Sequence, residues 1–65
     1  MRSNLIDLTV IYQHATERAV CVRETEDGPD VWLPLSAVEV EGDMRRGKAV
    51  TLTGPERLLT EKGLL

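Results

Sequence analysis

One histidine, His14, one cysteine, Cys21, and two serines, Ser3 and Ser36, are the residues from which a Ser–His or Cys–His nucleophile pair could be drawn. Such chemistry needs nucleophile, base and orienting group held together on a rigid frame. No spacing in the chain places His14 beside Ser3, Ser36 or Cys21, and His14 reads as a surface residue of a turn. Cys21, flanked by Val20 and Val22, reads as a small buried hydrophobe whose thiol stays protonated. Together Cys21 and His14 fall short of the four ligands of a structural zinc site, and a single cysteine forms no internal disulfide. The acidic residues around position 27 lack the ligand spacing and closing glutamate of an EF-hand loop, and no glycine-rich phosphate loop occurs. The expectation is a chain without enzymatic activity, cofactor or metal.

Binding chemistry is better represented. Between positions 24 and 43 lie seven acids, Glu24, Glu26, Asp27, Asp30, Glu39, Glu41 and Asp43, with no lysine or arginine among them. Net charge is −3: residues 1–44 carry nine acids against three bases, residues 45–65 two acids against five bases. An acidic stretch of this kind repels a nucleic-acid backbone and suits a basic partner, or else serves as a solvated face that protects sheet edges. Arg45, Arg46 and Lys48 are the candidates for phosphate contact, too few for more than weak binding at physiological salt. Trp32 and Tyr12 are the only aromatics. Two readings of Trp32 stand side by side: core packing beneath a helix with its indole N–H on a carbonyl, or a surface anchor next to Pro34.

Positioning these residues falls to a small set of elements. Sixty-five residues, 42% hydrophobic, allow one small domain over 1–65 and no second. Ile6, Leu8, Val10 and Tyr12 recur at every second position, predicting a first strand over 6–12 and a turn over 13–16. Residues 18–23 carry Ala19, Val20, Cys21 and Val22 in succession, a strand buried on both faces by core and by a helix or partner. Asp27-Gly28 supplies the positive φ of a tight reversal, with Pro29 fixing the exit, so strands two and three form a hairpin. A third strand over 31–33 stops at Pro34, which marks an edge or corner. A corner and short fourth strand follow over 35–41, with one helical turn around Ser36 as the competing reading. Residues 42–48 connect to a last strand over 49–53.

The end of the chain reads as a helix. Gly54 suits the N-cap, Pro55 the first helical position, Glu56 the first turn and Lys62 the last. Gly63 stops it in the left-handed conformation, and Leu64 then packs on Leu59 in a Schellman cap. Two turns of helix do not stand alone in water, so Leu58 and Leu59 must dock on the sheet. The expected fold is α+β, mainly β: a small twisted antiparallel sheet of four or five strands, closing toward a barrel in one variant, with one short C-terminal helix.

The run Thr16-Glu17-Arg18-Ala19-Val20-Cys21-Val22, the acidic Asp-Gly turn, and Val31-Trp32-Leu33-Pro34-Leu35-Ser36 resemble a group of small proteins encoded by phages and prophages. That group shares Thr-Glu-x-Ala, a hairpin turn and Val-Trp-Leu/Ile-Pro-x-Ser. The ending Pro55-Glu56-Arg57-Leu58-Leu59-Thr60-Glu61-Lys62-Gly63-Leu64 is similar to the group's closing helix, with Arg57 where a tryptophan is common. The resemblance spans about residues 16–65. It implies a mobile-element origin, near recombination and anti-defence functions.

With the seven acids and Trp32, it leads to an expected non-catalytic binding protein that blocks a host protein or nucleoprotein complex with a basic surface, as anti-CRISPR inhibitors do. The alternative is an accessory of phage recombination or replication touching single-stranded nucleic acid through Arg45, Arg46 and Lys48. A homodimer is a further expected arrangement, because so small a core has few contacts of its own. No apolar run reaches the roughly 20 residues of a membrane span, and no secretory signal is recognisable, so a cytoplasmic location is expected.

Overall fold

The alternation that begins at Ile6 runs further than its sequence period suggests. In the computed structural model, which describes residues 4–65, β1 covers Leu5–Ala15 and continues through the expected turn. The reason is an irregularity between Tyr12 and His14: Tyr12 opposes Val22 while His14 opposes Cys21, so one extra residue, Gln13, is accommodated as a bulge. The reversal falls at 16–18 instead, where the Thr16 N–H donates to the Ala19 carbonyl (2.8 Å) and the Thr16 hydroxyl accepts from the Ala19 N–H (3.2 Å).

Four more strands follow: β2 (Ala19–Arg23), β3 (Val31–Pro34), β4 (Glu39–Gly42) and β5 (Ala49–Pro55), and then helix α1 (Glu56–Glu61). They form one open antiparallel sheet in the order β3-β2-β1-β5-β4. β2 and β3 are the expected hairpin. The turn between them is not the expected tight one, and Gly28 does not take a positive φ. Seven residues make the connection, closed by the Gly28 N–H on the Thr25 carbonyl (3.0 Å), and a Cβ at Gly28 would approach Thr25 Oγ1 to 3.1 Å.

β3 is an edge strand, as Pro34 demanded. The Leu35 N–H donates to the Arg18 carbonyl (2.8 Å), and ladder bonds of an antiparallel pair recur at every second residue. Pro34 therefore sits where its absent donor would face solvent. Residues 35–37 turn, with the Ala37 N–H on the Pro34 carbonyl (3.0 Å), and β4 follows.

Residues 35–38 alone join the two edge strands, and five Cα steps of about 3.8 Å reach at most about 19 Å. Laid flat, five strands about 4.8 Å apart would separate their edges by that much sideways alone. An offset along the strands comes on top: Pro34 opposes Ala19, while Glu39 aligns through Thr53 with Asp7 near the start of β1. The sheet is therefore curled, with β3 and β4 as two free edges rather than a closed barrel.

Its concave face holds the core: Val10, Val20, Val22, Leu33, Val38, Val50, Leu52, Leu59 and Leu64 are buried there, with Tyr12, Val31 and Val40 packed against them. Helix α1 closes the open side. It begins one residue later than its sequence suggests, because Pro55 is still the last residue of β5 and serves as N-cap. The stop is as expected. Gly63 has φ 81°, its N–H donates to the Thr60 carbonyl (3.1 Å), and the Leu64 N–H donates to the Leu59 carbonyl (2.9 Å), the two bonds of a Schellman cap. Leu59 and Leu64 are both buried.

Candidate binding surface

The convex face of the sheet is where the residues with binding chemistry collect, and strand parity decides which they are. With Val20, Val22, Val31 and Leu33 turned into the core, their neighbours Cys21, Arg23 and Trp32 must point the other way. Register then lays them out in rows. His14, Cys21 and Trp32 lie side by side across β1, β2 and β3, and Ile11 and Arg23 occupy the next row.

Trp32 is 44% exposed, so its place beneath the helix is overturned. Three consecutive apolar residues, Val31, Trp32 and Leu33, leave the facing of this strand ambiguous in sequence; only the register with β2 fixes it. The indole meets the imidazole of His14 edge to face, ring centroids 6.1 Å apart and planes at 85°. His14 is an exposed residue, as expected, yet it belongs to a strand and not to a turn.

Cys21 is buried, 2% exposed, on the opposite side of β2 from the core. This second face of β2 is thus buried within the single chain, on the side away from the core that the helix closes. The structure makes His14 and Cys21 cross-strand neighbours, a juxtaposition no sequence spacing revealed, because the Gln13 bulge creates it. Burial chiefly, and then the nearby charge of Asp30, push the Cys21 thiol above its ordinary range, opposite to the shift that makes a reactive thiolate. Ser3 lies outside the described residues, and Ser36 lies in the β3–β4 turn. Among the described residues, no group of three or more histidine, cysteine, aspartate or glutamate side chains is placed to hold a metal ion.

The seven acids do not form one wall. Glu24, Glu26, Asp27 and Asp30 belong to the β2–β3 hairpin at one edge, while Glu39, Glu41 and Asp43 lie on or just after β4 at the other, with three strands between. Two of the seven are matched by arginines: Arg23 Nε donates to Asp30 Oδ1 at 2.6 Å, and Arg45 Nε lies 3.1 Å from Asp43 Oδ1. Arg23 also donates from Nη1 to the Glu26 carbonyl (3.0 Å), and its hydrogen bond to Asp30 holds the guanidinium pKa above its usual value. This side chain straps the hairpin loop to the convex face. Among the described residues Glu24, Glu26 and Asp27 have no ion pair, and they lie in the connection that leads into β3, the strand of Trp32.

Arg46 and Lys48 belong to the β4–β5 connection, which is stitched to β1 by the Tyr12 N–H on the Lys48 carbonyl (2.9 Å) and the Gly47 N–H on the Tyr12 carbonyl (2.8 Å). Arg45 is held by Asp43 and is not a free cation. No described helix is long and apolar enough to cross a membrane. Comparison with protein-family models, curated proteins and solved structures finds no match, so the surface is interpreted from its own chemistry.

Proposed function

We propose that this chain is a non-catalytic binding protein that docks on a basic surface of a protein partner through the convex face beside β3. The observation that carries the reading is Trp32, a large aromatic 44% exposed on an edge strand and braced by His14, with Glu24, Glu26 and Asp27, unpaired among the described residues, in the hairpin connection leading into that strand. Tryptophan is over-represented among residues that dominate binding energy, and a rigid support lowers the entropy lost on docking. Carboxylates at the rim steer a basic partner and add specificity more than affinity. Glu39, Glu41 and Asp43, on the other edge, are secondary contacts in this scheme.

The resemblance to phage and prophage proteins extends the proposal to a class of partner. We take it to be a host protein or nucleoprotein complex in the cytoplasm, blocked by occupation of a surface that otherwise meets an acidic ligand. Co-purification with the tagged chain from such a host, at low and high salt, tests the reading. Partner recovery should fall with salt, fall further in a Glu24→Lys, Glu26→Lys, Asp27→Lys variant, and be lost in Trp32→Ala. Recovery indifferent to all three changes removes the proposal.

A second reading is weak single-stranded nucleic-acid binding through Arg46 and Lys48, with Arg45 assisting and a base stacked on Trp32. What favours it is the stitching of the β4–β5 connection to Tyr12, two residues along β1 from the His14 that meets Trp32. A fluorescence-anisotropy titration with a labelled single strand at two salt concentrations discriminates: no binding below high micromolar at low salt eliminates it.

A further inference from the structure

A five-stranded open sheet has two edges, and in this molecule they are protected unequally. On β4, Glu39 and Glu41 place charges two residues apart, and Gly42, at φ 126°, takes the strand out of the extended conformation. Charges and a kink of this sort are the usual guards against pairing with another chain. β3 has neither: Val31, Trp32, Leu33 and Pro34 carry no charge, and no residue of β3 has positive φ. Its single guard is Pro34 at the very end.

The ladder shows what this edge offers. Because the Leu35 N–H bonds the Arg18 carbonyl, the alternate residues Leu33 and Val31 bond Val20 and Val22, and Trp32 turns its own N–H and C=O away from β2. Free backbone groups and the exposed indole of the proposed docking surface thus belong to one residue. The Pro34 carbonyl is already taken by Ala37, which limits the open stretch to the start and middle of the strand. At that same end the hairpin holds Glu24, Glu26 and Asp27.

We infer that the partner adds an extended segment to the β3 edge as a sixth strand, hydrogen-bonded to the backbone of Trp32, with basic residues flanking it toward the hairpin acids. This rests on the docking reading above and specifies its mode. Strand addition draws affinity from main-chain bonds and selectivity from the pockets and charges alongside. A sheet edge whose side chains alternate apolar and basic is the matching chemistry. A second copy of this chain is a poorer occupant, because paired antiparallel it would set the Pro34 end of its β3, a strand with no basic residue, against the hairpin acids.

The test uses the full chain made by chemical synthesis, with the amide between Val31 and Trp32 replaced by an ester. This removes the Trp32 N–H, which the fold does not use, and leaves the indole intact. The probe is an end-blocked Lys-Val-Lys-Val-Lys-Val-Lys peptide, titrated by tryptophan emission. The peptide should bind saturably, slow hydrogen exchange of the Trp32 amide in the unmodified chain, and bind about fivefold more weakly to the ester, the loss of about one hydrogen bond. A peptide with proline at alternate positions should not bind. Equal affinity for ester and amide, unchanged exchange at Trp32, or a dimer by light scattering with that amide protected before peptide is added, each overturns strand addition. The exchange measurement needs no variant and stands if the ester chain folds poorly. If Trp32→Ala abolishes capture of the cellular partner while the ester does not, docking through side chains survives and only the added strand falls.

Discussion

Gly54 of β5 lies so close to Val38 that a Cβ built on it would stand 2.8 Å from Val38 Cγ1, with Leu59 Cδ2 next at 3.6 Å. Three elements meet there: the last strand, the short bridge between the two sheet edges, and the closing helix. The contact explains how four residues can tie β3 to β4. Val38 is drawn down into the core over a backbone with no side chain, and the bridge seals the mouth of the curled sheet.

A methyl group at that point is therefore disruptive although Gly54 has no positive φ. Gly54→Ala should lower stability by about 1–3 kcal/mol through overpacking. Urea denaturation followed by circular dichroism measures it, and the double variant Gly54→Ala, Val38→Ala should recover part of the loss. A neutral single variant, or a double variant worse than the sum of its parts, contradicts this account of the contact.

Leu59 is fully buried and is the principal attachment of a helix too short to persist alone. Leu59→Ala should cost about 2–5 kcal/mol, against a total of about 3–5 kcal/mol expected for a core of this size. The variant should be largely unfolded at room temperature. Leu58→Ala, on the half-buried flank, should keep a cooperative transition. Thermal melts by circular dichroism separate the two, and equal midpoints for both would mean that the helix is not a structural lid.

The Cys21 thiol is held above its ordinary pKa by burial first and the Asp30 charge second. The folded state thus binds this proton more tightly than the unfolded state. The resulting stabilisation is complete below the unfolded pKa, near 9, and is lost as pH rises through the higher folded value. Wild type should lose more stability than Cys21→Val on going from pH 8 to above pH 9, read from urea midpoints at each pH. Parallel curves for the two proteins would show that the thiol's proton is indifferent to folding. Alkylation by iodoacetamide should be slow in the native protein, where Cys21 is buried, and faster in Trp32→Ala, which removes the large side chain of its cross-strand neighbour.

How much of this was legible in the sequence follows from the range of the interactions. Pro34 announced an edge because its missing donor is a local fact, and Gly63 with Leu64 announced the Schellman cap because both bonds close within six residues. The hairpin was equally local, though the Asp27-Gly28 pair misled about its turn, since Gly28 serves close approach to Thr25 and not a left-handed φ. Non-local matters were hidden. The length of β1 depends on a bulge at Gln13 that only pairing to β2 and to the β4–β5 connection makes favourable. The exposure of Trp32 depends on the register of β3, where apolar residues at every position conceal which face is inward. The acids were contiguous in sequence, yet strand order sends β3 and β4 to opposite edges and divides them.

Contact at position 32 is the claim on which the functional account stands. Placing p-benzoylphenylalanine at position 32, and separately at position 41 on the far edge, then irradiating cells of the natural host, tests it directly. The account predicts a single dominant adduct from position 32, carried on a basic, extended segment of one host protein, and little or none from position 41. Adducts from position 41 alone, or none from position 32 in a folded chain, contradict it.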